Sequence, residues 1–324
     1  MSRRALVLGA TGFIGGQIAC AAIERGWRVR AARRREGFTG AIGDLNVEWA
    51  RADLNDPDSL TAAMRDVDCV FHAAACYAHA SRHIDRHVVE ARAEMRRVLD
   101  AAKQAGVQRL IYTSTLTTIG PPIDPGQPAD ERSPYIPGSA GGAYHELKWA
   151  MEQDALNDGF PVVVVCPTVV FGPGDVHLSI SGSLLAIARG QVWFSIGGMV
   201  NVIDVRDVAA AHLSAAEQGR VGERYILGGQ DVPIAELIAR TARAAGAAPP
   251  RWRVPDSMLN LAGGLSRWLP GDPASALRAR HLLQPLSSAK AIAELGLSSR
   301  PLEDTLRDAL AWFRAYGYLK SRVV

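Results

Sequence analysis

Cysteine is scarce in this chain, with four residues in 324. They are Cys20, Cys69, Cys76 and Cys166, and none stands in a CxxC pair or at a Cys/His spacing typical of metal ligands. The sequence therefore predicts neither a disulfide framework nor a metal site. Cys69 and Cys166 lie in apolar runs, so we expect reduced, buried thiols in a cytoplasmic protein.

Long apolar runs and a large excess of charge of one sign are also missing. The run Val162–Val165 is too short to span a bilayer and no other run comes near the length needed, so no transmembrane segment is predicted. The N-terminus enters a predicted strand directly, which gives no indication of a secretory signal. The formal net charge is +3 and no basic stripe with interleaved aromatics accompanies it, so we expect no nucleic-acid partner.

Apolar runs alternate with helical patterns through the first half of the chain. The predicted strands are Ala5–Leu8, Trp27–Ala32, Val47–Arg51, Cys69–Ala73, Arg109–Thr113 and Val162–Cys166. The predicted helices between them are Gly15–Arg25, Pro57–Met64, Val88–Ala105 and Tyr144–Leu156. Strands that are apolar throughout and separated by helices favour an α/β fold with a doubly wound parallel sheet. Such sheets bind ligands beyond the carboxyl ends of their strands.

The alternation is interrupted before the sixth strand and loosens after Pro167. The segment from Gly120 to Gly142 is rich in proline and glycine, and we interpret it as an active-site loop. Later elements are predicted at Ser183–Ala188, Arg224–Leu227, Ile234–Ala245 and Leu302–Tyr316. We expect residues 1–170 to form one domain and residues 171–324 mainly a second, smaller one, with some later segments returning to the first.

A glycine-rich stretch, Gly9-Ala10-Thr11-Gly12-Phe13-Ile14-Gly15, follows the first predicted strand. Gly9 permits a tight turn, Gly12 lets the backbone approach a pyrophosphate, and Gly15 lets the helix pack close to the sheet. The helix N-terminus then offers N–H groups and its positive dipole end to phosphates. A glycine-rich turn without a ligand is the alternative, and the position after the first strand disfavours it. The residues expected to contact a dinucleotide here are Gly9, Thr11, Gly12, Phe13, Ile14 and Gly15.

The end of the second predicted strand lacks an acidic residue. In NAD-binding sheets such a residue usually binds the ribose 2′-hydroxyl, but Arg33, Arg34 and Arg35 precede the first one, Glu36. Guanidinium groups suit a 2′-phosphate, to which they donate charge-assisted bonds. Arg33 and Arg34 therefore predict a Rossmann domain that prefers NADP(H), with NAD(H) as the alternative cofactor. The alternative for the arginines themselves is a solvated basic cluster.

Two further strand ends are expected to line the cofactor. Asp53 and Leu54 follow the third strand and are placed to reach the adenine ring. The alternative for Asp53 is to cap the helix Pro57–Met64. His72 at the end of the fourth strand is expected to be structural rather than a base. The small residues after it would let the backbone lie against the cofactor: Ala73, Ala74 and Ala75.

Tyr144 and Lys148 lie four residues apart on one face of a predicted helix. Hydride transfer between a carbonyl and an alcohol needs a group that moves the hydroxyl proton. A tyrosine titrates near 10, and a nearby ammonium lowers that pKa. The hydroxyls of Ser114 and Thr115, after the fifth strand, are candidates to hold the substrate oxygen. The alternative is a surface Tyr/Lys pair without chemistry, which the preceding nucleotide-binding pattern disfavours.

These motifs together resemble the extended short-chain dehydrogenase/reductases, which include nucleotide-sugar epimerases and dehydratases, dihydroflavonol reductases and 3β-hydroxysteroid dehydrogenases. The C-terminal segments Ser287–Lys290 and Trp312–Leu319 resemble a hopanoid-associated subgroup often labelled a sugar epimerase. The other matching segments are Leu8–Gly15, Phe71–Ala74, Tyr112–Thr115, Tyr144 with Lys148, Pro167 with Gly172-Pro173, Asp204–Ala209 and Glu223–Gly229.

The resemblance implies a role for each matching residue. Tyr144 would be the acid/base, and Lys148 would hold the nicotinamide ribose and tune Tyr144. The catalytic Ser/Thr of the family falls on Thr115, with Ser114 beside it. Pro167 would lie at the nicotinamide side of the pocket. We expect Asp207 to cap a helix from Val208 to Glu217 rather than to touch substrate.

One departure from the family lies on the helix before the fifth strand. An Asn-Val-x-Gly-Thr stretch, whose Asn contributes to a relay behind the Lys, is replaced by Ala91–Met95. The family commonly forms homodimers through the helices predicted here at Val88–Ala105 and Tyr144–Leu156. Met95, Val98 and Leu99 would form that seam or face the sheet.

Three functions are open at this point. The first is an NADP(H)-dependent oxidoreductase that interconverts a carbonyl and an alcohol on a small, hydrophobic substrate. The second is a nucleotide-sugar epimerase or dehydratase with tightly held NAD. Its substrate diphosphate would need cations such as Arg189, Arg206, Arg251 and Arg253. The third is a non-catalytic, cofactor-binding regulator, which the intact Tyr144 disfavours and the replaced Asn favours.

Overall fold

The computed structural model describes residues 2–74, 83–139, 142–254 and 284–319. Its strands are β1 (Arg4–Leu8), β2 (Arg28–Arg33), β3 (Glu48–Arg51), β4 (Cys69–His72), β5 (Arg109–Thr113), β6 (Val162–Pro167), β7 (Val169–Phe171), β8 (Phe194–Ser195), β9 (Met199–Asp204), β10 (Arg224–Leu227), β11 (Gln230–Pro233) and β12 (Trp252–Arg253). Its α-helices are α1 (Phe13–Glu24), α2 (Pro57–Met64), α3 (Ile84–Ala105), α4 (Ala143–Asn157), α5 (Ser181–Ala188), α6 (Val205–Gln218), α7 (Ile234–Ala245), α8 (Ala289–Leu295) and α9 (Leu302–Ala315).

Seven strands form a central sheet in the order β10-β6-β5-β4-β1-β2-β3, and every pair in it is parallel. β1 lies between β4 and β2, with Leu8 in register with His72 and Val7 with Ala31. The strand order reverses at β1. The crevice beyond the carboxyl ends of β1 and β4 is therefore the place where an open α/β sheet binds its ligand.

Helices cover both faces of this sheet, which explains why its strands are apolar throughout. On one face α1 packs against α6, over a core that includes Phe71 and Tyr225. On the other face α3 packs against α4, over a core that includes Tyr112 and Met151. All six residues of β6 are buried because this strand is covered on both sides.

A second, smaller core lies beside the large sheet. It contains the three-stranded sheet β11-β9-β7, in which β9 pairs antiparallel with β11 and parallel with β7. Phe171, Leu310 and Phe313 are buried there, together with apolar side chains of α5 and α7. β8 and β12 form a separate two-stranded parallel ribbon.

The predicted doubly wound parallel sheet is confirmed, and its strands and helices lie where the sequence places them with shifted ends. α3, for example, begins at Ile84 rather than Val88. β10 and α6 come from the second half of the chain but belong to the large sheet and its covering layer. The division into domains near residue 170 stays a prediction. Within the described ranges, no helix is long and apolar enough to cross a membrane.

Candidate active site

The glycine-rich loop after β1 is packed too closely to hold side chains at two positions. Gly9 has a φ of +87°, and a Cβ there would lie 2.7 Å from the Ala74 nitrogen beyond β4. A Cβ on Gly15 would lie 2.2 Å from the Gly9 carbonyl oxygen, whereas one on Gly12 would lie 3.2 Å from the same atom. The loop is thus held against both the sheet and α1, while Gly12 is the less crowded position.

α1 begins directly after this loop and no side chain caps it. Its first i→i−4 hydrogen bond runs from the Gly16 N–H to the Gly12 carbonyl, at 2.9 Å. The preceding N–H groups of Phe13, Ile14 and Gly15 have no partner within the helix, and the first turn holds no acidic residue. These donors and the positive end of the helix dipole fit the pyrophosphate of a dinucleotide.

The loop after β2 lies against the glycine-rich loop, and two arginines stand where β2 ends. Gly40 of this loop lies against Thr11, because a Cβ on Gly40 would be 2.3 Å from the Thr11 carbonyl oxygen. Arg33 ends β2, and its guanidinium carbon lies 5.0 Å from the centroid of the Trp49 ring. Arg34 is exposed. The strand end therefore presents positive charge and no carboxylate of its own.

Asp53 does not cap α2, so the alternative role considered for it is wrong. Asp56 makes that cap, because its Oδ1 accepts the capping hydrogen bond at 3.1 Å. Asp53 instead accepts a hydrogen bond from the Asn55 N–H at 3.0 Å, which closes a short turn. Arg97 of α3 donates to the Leu54 carbonyl at 2.7 Å and fastens this loop. The adenine contacts of Asp53 and Leu54 remain predictions.

Tyr144 and Lys148 lie one turn apart in α4, beside the carboxyl end of β5. Tyr144 is half-buried, and Lys148 is only 3% exposed. The Lys148 Nζ donates a hydrogen bond to the Thr113 carbonyl at 2.7 Å and lies 4.6 Å from the centroid of the Tyr112 ring. Burial lowers the pKa of Lys148 to about 8, although the nearby Glu152 carboxylate favours the ammonium. A cation next to a phenol favours its phenolate.

The two hydroxyl residues after β5 have different surroundings. Ser114 donates a hydrogen bond to the carboxylate of Glu152, and Thr118 donates to the same oxygen at 2.7 Å. Thr115 begins a 3₁₀ turn, and its hydroxyl oxygen lies 3.4 Å from the Thr117 nitrogen. The Ser114 hydroxyl is therefore already bonded to Glu152, while the Thr115 hydroxyl has only a long contact with the Thr117 nitrogen.

Glu152 and Arg224 also belong to this site, although neither was predicted from the sequence. Glu152 has no exposed surface and follows Lys148 by one helical turn. Its Oε1 forms an ion pair of 2.8 Å with the Arg224 Nε of β10. The spacing of Tyr144, Lys148 and Glu152 along one helix face was a usable signal. The arginine lies far later in the chain, and only the pairing of β10 with β6 brings it here.

Other predicted site residues lie at the same edge of the sheet. Pro167 ends β6 and is in register with Leu227. The Ala73 N–H donates to the Leu8 carbonyl at 3.0 Å, which holds the end of β4 against β1. His72 is fully buried, and burial together with Lys148 lowers its pKa to about 3, so its ring is neutral. The predicted contact at Ala75 lies outside the described residues.

The prediction that Asp207 caps its helix is wrong. Asp204 caps α6, because it accepts a hydrogen bond from the Arg206 N–H at 2.9 Å. Asp207 instead accepts two bonds from Arg300, at 2.8 and 2.9 Å. Arg206 is held by Asp204 and Asp308, each at 2.8 Å, so its charge is already paired inside the protein.

On α3, the side chains considered for a dimer seam face the sheet. Met95, Val98 and Leu99 have no exposed surface and belong to the core under α3 and α4. Ala91, where the family carries Asn, is 5% exposed and lies in the same core. An amide side chain at this position would face the interior rather than solvent.

The fold and this edge of the sheet together define a nicotinamide-dinucleotide-dependent oxidoreductase of the Rossmann type. The sequence model of the NAD-dependent epimerase/dehydratase family matches residues 5–228. The chain belongs to this family, and with it to the extended short-chain dehydrogenase/reductases.

Several known proteins are similar over nearly their whole length. A protein of Synechocystis sp., whose name gives dihydroflavonol 4-reductase as a provisional activity, is 32% identical, with 98% of this chain and 96% of that protein covered. Sterol demethylase protein B of Methylococcus capsulatus is 29% identical, with 97% and 99% covered. The crystal structure of a nucleoside-diphosphate-sugar epimerase from Pseudomonas aeruginosa is 29% identical, with a TM-score of 0.83 and 99% and 100% covered.

Proposed function

We propose that this protein is an NADP(H)-dependent oxidoreductase that interconverts a carbonyl and an alcohol on a small hydrophobic substrate. The observation that carries the proposal is the buried Lys148 ammonium, held by the Thr113 carbonyl one helical turn from Tyr144. One relative is named for a dihydroflavonol reductase and another for a sterol demethylase, and both names support a reductase of apolar substrates.

Each residue of the proposed site has a defined task. The nicotinamide cofactor, when bound along the glycine-rich loop, supplies or accepts the hydride. Tyr144 donates the proton to the developing alkoxide in reduction, or removes it in oxidation. Lys148 would hold the ribose of the bound cofactor, and its ammonium favours the Tyr144 phenolate when the proton has left. Thr115 donates a hydrogen bond to the substrate oxygen and orients it toward Tyr144.

The two hydroxyls beside the substrate are expected to differ when removed. Thr115→Ala should lower kcat by about 10²-fold, because a donor to the reacting oxygen is lost. Ser114→Ala should lower kcat by less than about tenfold, because its hydroxyl bonds to Glu152 rather than to substrate. Steady-state kinetics of both variants checks this. Equal losses would show that both hydroxyls touch the substrate.

The preference for NADP(H) is proposed to come from Arg34 together with Arg33. Arg34→Ala should raise the Kd for NADPH by roughly 10- to 100-fold, because the bonds to the 2′-phosphate are lost. The Kd for NADH should stay within about twofold of its wild-type value, since NADH has no 2′-phosphate. Fluorescence titration measures both, and Arg28→Ala is the matched control, because Arg28 is an exposed arginine at the start of β2 while Arg34 follows its end. Comparable wild-type affinities for the two cofactors would contradict the proposal.

A nucleotide-sugar epimerase is the second candidate, favoured by the similarity to the Pseudomonas aeruginosa epimerase. The two functions differ in how the cofactor is held. Protein purified without added nucleotide should carry little cofactor and exchange NADPH readily if it is a reductase. Co-purified, tightly held NAD would favour the epimerase. Denaturing release and chromatography of the bound nucleotide, followed by a screen of ketones and aldehydes, decides between them.

We further propose a cytoplasmic homodimer. Cys69 and Cys166 are free, buried thiols, which suits a reducing compartment. The outer surfaces of α3 and α4 are the proposed interface, and they include Val89, which is 67% exposed. Sedimentation of the wild type and of Val89→Asp tests the dimer.

A further inference from the structure

A buried polar cluster lies beside α4, the helix that carries Tyr144 and Lys148. The charged residues of this cluster have no role in the proposed mechanism. It consists of Glu152 of α4, Ser114 and Thr118 of the turn after β5, Cys166 of β6, and Arg224 of β10. Glu152 and Thr118 have no exposed surface. Three other parts of the chain thus converge on the one carboxylate that α4 carries.

The bonds of Glu152 connect two parts of the proposed site. One oxygen accepts hydrogen bonds from Ser114, which precedes the turn that begins at Thr115, and from Thr118, the last residue of that turn. The other oxygen pairs with Arg224 at 2.8 Å, and Arg224 also donates to the Thr118 carbonyl at 2.8 Å. The position of the Thr115 hydroxyl relative to α4 is therefore fixed through Glu152.

The same carboxylate lies one helical turn from Lys148 on the buried side of α4. A pair of opposite charges in a site with little water interacts more strongly than the same pair at the surface. Burial and the neutral surroundings disfavour the Lys148 ammonium, while Glu152 favours it. Without this carboxylate, the ammonium would rely on the Thr113 carbonyl and the Tyr112 ring.

We infer that Glu152, held by Arg224, is a positioning residue of the reaction, which fixes Thr115 against α4 and keeps Lys148 charged at neutral pH. This inference rests on the proposed function for its kinetic consequences. A buried ion pair alone would be weak evidence, because such pairs often stabilise a fold very little. Here the pair is joined to both the hydroxyl turn and the lysine.

The pH at which Lys148 loses its proton depends on the groups that face it. They are Tyr144 and Glu152 on its own helix, Tyr112 on β5, His72 on β4, Cys166 on β6 and, beyond Glu152, Arg224 on β10. His72 is neutral, and burial with Glu152 raises the pKa of the Cys166 thiol to about 12, so it is also neutral. Glu152 is thus the anion that opposes the effect of burial, and the ammonium is lost as pH rises through about 8.

The decisive variant is Glu152→Gln, which keeps the shape and removes the charge. We expect kcat to fall by about tenfold or more. In the pH profile of kcat, the alkaline limb, where activity falls as Lys148 loses its proton, should move to lower pH by roughly half to one unit. Thr118→Val, which keeps the carboxylate and removes one of its bonds, should lower kcat without moving that limb. This second variant also tests the inference if Glu152→Gln fails to fold.

Two controls separate positioning from simple stability. Asp207→Asn breaks an ion pair between α6 and Arg300, away from Lys148, and should lower the Tm without shifting the pH profile. Glu152→Gln combined with Arg224→Gln should recover part of the Tm, because no unpaired charge stays buried. The alkaline limb should stay shifted. An unshifted limb in Glu152→Gln, with only the Tm lowered, would overturn the inference.

The pH dependence of NADPH binding gives a readout that needs no turnover. If the wild type binds NADPH but reduces no carbonyl in a Tyr144-dependent way, the proposed function fails. The binding profile then tests Glu152 by itself, because Lys148 is placed to hold the cofactor ribose. An identical binding profile in the wild type and Glu152→Gln would reject the inference.

Discussion

Tyr144→Phe is expected to lower kcat for carbonyl reduction by about 10²–10⁴-fold, the usual contribution of a positioned acid/base. The substitution removes only the phenolic oxygen, so the half-buried ring can keep its packing beside His145. The Kd for NADPH should change by less than about threefold, because Lys148 and the glycine-rich loop are intact. Stopped-flow reduction and fluorescence titration measure the two quantities on the same sample.

Tyr135→Phe is the matched control for this experiment. Tyr135 is a second tyrosine near the start of α4, and its hydroxyl donates to Glu146 at 2.6 Å. Its removal should lower kcat by less than tenfold, because it affects a loop contact and not the proton. Unaltered turnover in Tyr144→Phe would rule out the proposed mechanism. A wild type that binds NADPH and shows no turnover would instead favour the non-catalytic regulator, since cofactor binding would then persist without chemistry.

Gly15→Ala is expected to weaken NADPH binding by about 10²-fold or more. A Cβ at this position would lie 2.2 Å from the Gly9 carbonyl oxygen and 2.6 Å from its carbon, so two backbone segments must separate. Such overpacking costs about 1–3 kcal/mol of folding stability. It also displaces the N–H groups at the start of α1 from the phosphates, and the loss of a hydrogen bond to a charged group costs roughly 1.5–3 kcal/mol, or about 10- to 10²-fold in Kd.

Gly182→Ala separates this effect from the general consequence of placing alanine in a helix. Gly182 lies in α5, where the nearest atom to a new Cβ would be Leu178 Cβ at 4.0 Å. Alanine is the better helix former by about 1 kcal/mol, so this variant should be as stable as the wild type or more so. NADPH affinity should be unchanged there. Tight NADPH binding by Gly15→Ala would mean that the loop is not the phosphate site.

The glycine-rich loop and the Tyr144/Lys148 pair could be predicted from the sequence because both depend on short-range spacing. Gly9, Gly12 and Gly15 are close in the chain, and the steric reasons for them act between β1, its turn and α1. Tyr144 and Lys148 meet because four residues make about one helical turn. Helix caps were harder to assign, since Asp53 and Asp56, or Asp204 and Asp207, have the same chemistry within a few positions.

The sequence by itself determined the parallel α/β fold, the glycine-rich loop and the helix with Tyr144 and Lys148, because each follows from local periodicity or spacing. Only the tertiary structure decided that the Ser114 hydroxyl bonds to Glu152 while the Thr115 hydroxyl contacts its own turn, and that Glu152 meets Arg224. That pair depends on β10 adding to β6 after a long excursion of the chain. Strand pairing at such separation is set by the packing of the whole sheet, which no local pattern encodes.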